Sequence, residues 1–403
     1  MQTKRLYWEN PYITEFKANI LSISDYEKDT TKSIVVLDET AFYPEGGGQP
    51  SDKGFIGDAK VEYVYEENSI IYHVIDQNLP IIENIACNID WNRRFDHMQQ
   101  HLGQHILSST IESLYNANTV GFHLGNDIVT IDINKEALAP EEISEIEMLA
   151  NKYIYNNLPV TIHYPEANEI SKFKLRKPPT VSEGIRIVEI DNTDFSPCGG
   201  THPNSTGEVG IIKIKGLEKM RGNTRIEFLC GGRALKDYSW KNTYINSISS
   251  LLSIKDTETL SFVQKIYQES KQLEKENRNL QRSLLEYQIK ELYNEGEEIK
   301  NHRVVIKIYE GIDFKSLQFM ASALNKYDKT IALLATKNDK AQVVFTRSQE
   351  LKLDISKLFK EVIGLINGKG GGNPAAAQGG GDDLANLDSM MEAAKIKLLK
   401  EYL

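Results

Sequence analysis

Two short segments far apart in the chain constrain its fold more than any other feature. His101 and His105 stand four residues apart in a run whose apolar members, Phe95, Met98, Leu102, Ile106 and Leu107, recur at threes and fours, the spacing of a helix with one buried face. Much later comes Cys198-Gly199-Gly200-Thr201-His202, a tight glycine turn able to bring a thiolate and an imidazole together. Helical residues four apart share a face, so each segment supplies half of a metal site. The combined set of three imidazoles and a thiolate suits zinc and disfavours magnesium or calcium, which take oxygen ligands. A chain that uses this set must fold the helix against the turn. His97 leaves the pair open, because His97 with His101 has the same spacing as His101 with His105.

Periodicity divides the chain into four parts, and the fold class expected is α+β. Residues 1–90 alternate apolar and polar positions in short runs such as Ile34-Val35-Val36-Leu37 and Ile70-Ile71-Tyr72-His73-Val74, broken by Gly, Pro and Asp, which predicts a small β-barrel. Its Phe42-Tyr43-Pro44-Glu45-Gly46-Gly47-Gly48-Gln49-Pro50-Ser51-Asp52 is too rich in Gly and Pro for a regular element and reads as a loop. Residues 91–250 carry both metal motifs and form the zinc-binding α+β domain. Residues 251–300 are almost free of Gly and Pro, and Val263, Ile266, Ser270, Leu273, Asn277, Leu280, Leu284 and Tyr287 recur in three-four steps, a heptad seam. A coiled coil is expected there, with an intramolecular hairpin or a packed linker helix as the alternative. Residues 301–403 mix buried-type strands with helices, a small α/β domain whose glycine-rich residues 368–381 read as a loop.

Composition bounds the setting. No window approaches the roughly 18 apolar residues of a membrane span, and the basic N-terminus has no apolar run behind it, so no membrane association is expected. Three cysteines, Cys87, Cys198 and Cys230, cannot make a disulfide framework, which points to a reducing compartment, the cytoplasm. With 47 Lys and Arg against 57 Asp and Glu, a net charge of -10, indiscriminate coating of nucleic acid is excluded; any nucleic-acid contact must use localised basic surfaces. The densest are Lys172, Lys174, Arg176 and Lys177, with Lys213, Lys215, Lys219, Arg221 and Arg225.

The runs His97-Met98-Gln99-Gln100-His101-Leu102-Gly103-Gln104-His105-Ile106-Leu107 and Cys198-Gly199-Gly200-Thr201-His202 together resemble the editing domain of alanyl-tRNA synthetases and of the free-standing alanyl-tRNA editing proteins of AlaX type. The glycine-rich loop from Phe42, the segment Val120-Gly121-Phe122-His123-Leu124-Gly125 and the strand Arg221-Gly222-Asn223-Thr224-Arg225-Ile226-Glu227-Phe228 are similar to further parts of that family. The tail resembles the C-terminal domain that alanyl-tRNA synthetases share with DHH phosphoesterases. The resemblance implies that the metal pair is His101 and His105, with His97 just outside, and that Cys198 and His202 complete the zinc site. It also implies the long form of the editing protein, without ATP-binding or aminoacylation domains. Its activity would be hydrolysis of mischarged tRNA(Ala), chiefly Ser-tRNA(Ala), with Gly-tRNA(Ala) as a second substrate.

Four protein ligands is the closed count of a structural zinc, whereas hydrolysis asks for an open position; expansion to five-coordination or exchange of a ligand would reconcile the two. Neither motif contains an Asp or Glu placed like the base of an H-E-x-x-H protease. His97 and His123 are the candidates for substrate contact or proton transfer. Thr201 and Gln104 are the candidates for recognising the serine hydroxyl, since a site built to bond a hydroxyl rejects the substrate that lacks it. Contacts with tRNA fall to Gly46, Gly47, Gly48 and Gln49, whose backbone can approach a ribose-phosphate end, to Lys174, Arg176, Lys177, Arg221 and Arg225, and to Lys369 in the second glycine-rich segment. Homodimerisation through the coiled coil and the C-terminal domain is the expected assembly. A non-catalytic tRNA-binding protein with a structural zinc, and a zinc hydrolase of peptides or small esters, are the rival readings.

Overall fold

Short strands build the N-terminal part of the chain: β1 (Glu15–Ala18), β2 (Ile20–Asp25), β3 (Ser33–Leu37), β4 (Gly54–Ile56), β5 (Ala59–Glu67), β6 (Ile70–Ile75) and β7 (Ile85–Ile89). In β3, buried Ser33, Val35 and Leu37 alternate with half-buried Ile34 and Val36, the pattern of a sheet with one face in a core. The computed structural model describes residues 2–166, 168–179 and 184–403. Among these residues the strands pair antiparallel in the order β1-β7-β4-β5-β6-β3-β2. The edge strands β1 and β2 are joined by Asn19 alone, so the sheet must curl until its edges meet at that corner. No ladder joins those edges among the described residues, and the expected β-barrel is an open curled sheet. Leu37, Ile56, Val61, Ile71 and Ile75 fill its concave side.

His73 is buried in this core, its Nδ1 donating to the Val35 carbonyl at 3.1 Å and its Nε2 2.9 Å from the Thr40 hydroxyl. Burial depresses its pKa from 6.5 to about 4, so the folded state refuses a proton that the unfolded chain accepts below about pH 6.5. Stability is unaffected above that pH and falls by roughly 1.4 kcal/mol per pH unit between 6.5 and 4 on this account. His73→Leu costs stability at pH 7 through its lost hydrogen bonds but removes the slope. The gap between wild type and variant, measured by urea unfolding, should narrow by about 2 kcal/mol between pH 6.5 and 5; parallel curves would refute the assignment.

The second part of the first unit, Met1–Asp256, is organised round α1 (Trp91–Tyr115), N-capped by Asp90 through the Arg93 amide and ended by Asn116 in the left-handed region. Its residues 100–111 are buried on every side, which marks a central helix. β8 (Thr119–Leu124), β9 (Val129–Ile133), α2 (Pro140–Tyr155), β10 (Val160–His163), β11 (Ile187–Ile190), β12 (Asp194–Pro197), β13 (Ile212–Met220), β14 (Asn223–Cys230) and α3 (Gly231–Leu252) follow. The strands form the antiparallel sheets β8-β9-β14-β13 and β10-β11-β12 among the described residues. α2 opens with Pro140 and with Glu142 accepting from the Ala139 amide, as its acidic first turn predicts. Leu102, Ile106 and Ile111 of α1 pack on Ile131, Ile226 and Phe228 of the sheet and Ile146 of α2.

A buried ion pair ties the curled sheet to α1. Arg94 donates from Nε and Nη2 to Asp52, from Nη1 to the Pro11 carbonyl and from Nη2 to that of Ala41, and both charged side chains are wholly inaccessible. Asp52 also accepts from the Tyr43 amide at 2.6 Å, closing the loop that carries Gln49.

The second unit, Thr257–Leu403, begins with α4 (Thr259–Glu295), whose Ile289 and Leu292 are buried while the heptad residues Leu273, Leu280 and Leu284 are 64%, 70% and 58% exposed. The seam therefore has no partner among the described residues of this unit. β15 (Glu297–Ile299), β16 (His302–Glu310), α5 (Phe314–Leu324), β17 (Thr330–Lys337), β18 (Ala341–Arg347), α6 (Ile355–Val362), β19 (Lys369–Asn373), β20 (Ala376–Gly381) and α7 (Leu387–Lys397) complete it. Among the described residues the sheet order is β15-β16-β17-β18-β20-β19, with α5 on one face and α6 and α7 on the other. The glycine-rich segment expected as a loop is instead the β19-β20 hairpin at the sheet edge. Its glycines serve close strand approach: a Cβ on Gly372 would lie 2.0 Å from the Ala376 carbonyl oxygen. Lys369 sits exposed on that edge strand. No helix among the described residues is long and apolar enough to cross a membrane.

Candidate metal centre

The helical step of α1 sets His101 beside His105, ring centroids 5.3 Å apart. β12 ends at Pro197, and the turn beyond it carries His202 to 4.4 Å from the His101 ring and 4.9 Å from that of His105. Cys198 Sγ lies 3.4 Å from His101 Nε2 and 3.2 Å from His202 Nε2. One donor atom from each of His101, His105, Cys198 and His202 lies within 4.8 Å of the others, and His97 is outside this group. The turn can lie this close because residue 200 is glycine; a Cβ there would fall 2.3 Å from His101 Cε1. Its carbonyls are held from outside, those of Cys198 and Gly200 by Arg186 and that of Gly199 by Trp8 Nε1.

These residues fit a zinc ion. Tetrahedral zinc with nitrogen and sulfur ligands sets its donor atoms roughly 3.5 Å apart, close to the sulfur-nitrogen separations here. His105 Nε2 is buried with no hydrogen-bond partner, a condition that a cation would relieve. Burial opposes the Cys198 thiolate, but the imidazoles of His101 and His202 outweigh it and hold the thiol well below its ordinary pKa. Burial, with His101 and His105 nearby, pushes His202 down to about 3 and keeps it neutral. A thiolate and neutral imidazoles are the forms that bind metal.

Two ligands are aimed by groups behind them. His101 Nδ1 donates to Gln49 Oε1 at 2.9 Å, and His105 Nδ1 to Asp194 Oδ2 at 3.1 Å, which leaves both Nε2 atoms facing the cluster. Burial raises the Asp194 pKa, but His105 and Arg176 prevail and hold it at about 2. Asp194→Asn should weaken zinc binding about 10- to 100-fold, the usual cost of losing such a partner, in competition with a chelator; unchanged affinity would show that the carboxylate does not aim His105.

The remaining predicted residues are placed as follows. Gln49, expected at a tRNA contact, is buried: it accepts from His101 Nδ1 and the Thr201 amide, and donates to Thr201 Oγ1 at 2.8 Å. The Arg176 guanidinium bonds Asp194 and Ser196 and is nearly buried. Gln104 donates to Ser108 Oγ within its own helix. Thr201 is buried beside His202, His97 is buried with Nδ1 unpartnered, and His123 is exposed on β8. Gly46 and Gly47 lie within the loop, and Gly48, at positive φ, is pressed on Phe122, which stacks on His101 at 5.3 Å. Lys174, Lys177 and Arg221 are exposed, while Arg225 is paired with Asp132. Asp52, Arg94, Asp194, Arg186 and Trp8 carry no motif spacing, so sequence reasoning passes over them.

The chain's matches place it among proteins that share domains with tRNA synthetases. Residues 6–93 match the family described as tRNA synthetases class II (A), residues 185–227 the Threonyl and Alanyl tRNA synthetase second additional domain, and residues 301–400 the DHHA1 domain. The chain is 38% identical to "Alanyl-tRNA editing protein AlaX-L" of Pyrococcus horikoshii, an alignment covering 93% of this chain and 94% of that one. It is 30% identical to "Alanyl-tRNA editing protein Aarsd1-A" of Xenopus laevis, over 93% and 89% of the two. Against the "Alanine--tRNA ligase" of Pyrococcus abyssi, at 30% identity, 99% of this chain spans 44% of the relative. The chain belongs to the alanyl-tRNA editing proteins, in the long form of the AlaX type.

Proposed function

We propose that the chain hydrolyses the aminoacyl ester of mischarged tRNA(Ala) in trans, in the cytoplasm, with Ser-tRNA(Ala) the main substrate and Gly-tRNA(Ala) a second, and that it does not charge tRNA. The convergence of His101, His105, Cys198 and His202, in a chain whose relatives are named alanyl-tRNA editing proteins, carries this reading. Those four residues would hold a zinc ion, which would supply Lewis-acid polarisation of an ester carbonyl and acidify a water.

Serine selection falls to Thr201. Its Oγ1 accepts from Gln49, so its own proton is free to bond the substrate hydroxyl. Alanine offers no such acceptor and would leave that donor buried and unpaired. Phosphate contacts fall to exposed Lys174, Lys177 and Arg221 and, in the second unit, Lys369. The exposed seam of α4, with Asn277 as a register-setting polar member, supports pairing with a second copy.

The closed count of four protein ligands favours one rival, a tRNA-binding protein with a structural zinc. Incubating the full chain with Ser-, Gly- and Ala-tRNA(Ala) separates the two. Release of serine with Ala-tRNA(Ala) spared supports editing; retention of every charged tRNA without hydrolysis supports the rival.

A further inference from the structure

A cleft of about 1200 Å³ opens beside the metal cluster and reaches Cys198 and His202. One wall carries Trp8, fixed by its Nε1 hydrogen bond to the Gly199 carbonyl at 2.9 Å, one residue from the Cys198 ligand. The Arg5 guanidinium lies 4.2 Å from the Trp8 ring centroid and is pinned there by Glu66 at 2.6 Å. From the opposite subdomain comes Tyr164, 57% exposed, its hydroxyl 3.3 Å from the Trp8 carbonyl. Arg186 also lines the cleft; it is 6% exposed, and its Nε is buried with no hydrogen-bond partner. An aromatic ring, a guanidinium plane on it, a second aromatic and an unsatisfied donor therefore line one path to the metal ligands.

This combination suits the single-stranded end of an RNA. Nucleobases stack on aromatic rings and on arginine planes, and the sugar-phosphate supplies oxygen acceptors for a free guanidinium N–H. In an aminoacyl-tRNA the ester and the terminal adenine are carried by one ribose, so an ester held at Cys198 and His202 brings that adenine into the same cleft. We infer that Trp8, with Arg5 and Tyr164, is the stacking platform for the terminal adenosine of the acceptor strand. This rests on the deacylase reading for its substrate but on separate residues for its evidence.

The test is calorimetric binding to the full zinc-loaded chain of two stable probes, 3'-(L-seryl)amino-3'-deoxyadenosine and serinamide, with zinc per chain measured for each variant. Wild type should prefer the nucleoside probe. Trp8→Ala should weaken it about 10- to 100-fold, the range for one lost stack, and shrink the preference over serinamide by a like factor. Trp8→Phe, which keeps a ring but not the bond to Gly199, should stay within about threefold of wild type, with zinc content equal in all three. The platform is overturned if wild type shows no preference, if Trp8→Ala binds the nucleoside probe as wild type does, or if Trp8→Phe falls as far as Trp8→Ala. Nucleoside binding that depends on Trp8 without hydrolysis of Ser-tRNA(Ala) would sink the deacylase reading and leave the platform standing. Hydrolysis with a Trp8→Ala affinity equal to wild type would do the reverse.

Discussion

Replacing Cys198 with alanine should abolish deacylation of Ser-tRNA(Ala) and release most of the zinc while the fold persists. Cys198 supplies the anionic donor of the cluster and sits within 3.4 Å of two imidazole nitrogens. Without it, three imidazoles are left to share a dication in a buried space, with no anionic donor to offset it. Losing a group that merely aims a ligand costs about 10- to 100-fold in metal affinity or activity, so losing a ligand sets that as a floor, and at least a 100-fold fall in rate is expected. The substitution also removes the bond that Sγ accepts from the Gly200 amide at 3.4 Å, but the turn should hold its shape because its carbonyls stay bonded to Arg186 and Trp8. Elemental analysis, circular dichroism and single-turnover deacylation on one preparation decide the matter. Full activity with zinc lost would separate the chemistry from the metal and refute the proposed role.

The second large effect is on stability. Asp52→Ala removes the carboxylate that neutralises Arg94 where neither side chain meets solvent. Breaking a buried pair by deleting one partner costs about 3–5 kcal/mol, because the other charge stays buried and uncompensated. Against the 5–15 kcal/mol typical of a whole fold, that is enough to lower the urea midpoint sharply. The double variant Asp52→Ala/Arg94→Ala should cost much less than the sum of the singles, since the stranded charge is gone. Additive costs would show that the pair is not coupled. The effect should also reach the metal centre, because Asp52 closes the loop whose Gln49 holds His101 and Thr201.

How legible each part is in the sequence depends on the range of the interactions that make it. The i, i+4 step of His101 and His105 and the glycine turn of Cys198 to His202 are local, and their side-chain chemistry identifies the candidate donors without reference to the rest of the chain. The packing of Gln49 and Arg176 is not legible for the opposite reason. A polar residue in a glycine-rich loop and an arginine in a basic run look solvated, and only long-range packing turns one onto His101 and the other onto Asp194. The glycine run at residues 368–381 misleads because flexibility and close strand approach call for the same residue; hairpin pairing chooses the second.

By itself, then, the amino-acid order determined which side chains are able to bind a metal, the helical and strand periods that carry them, and the heptad seam, since all three follow from spacing along a short stretch. Tertiary structure alone decided that Asp194 and Gln49 aim the imidazoles and that Asp52 and Arg94 bury their charges together. Those outcomes depend on contacts between segments tens of residues apart, and no local period records them.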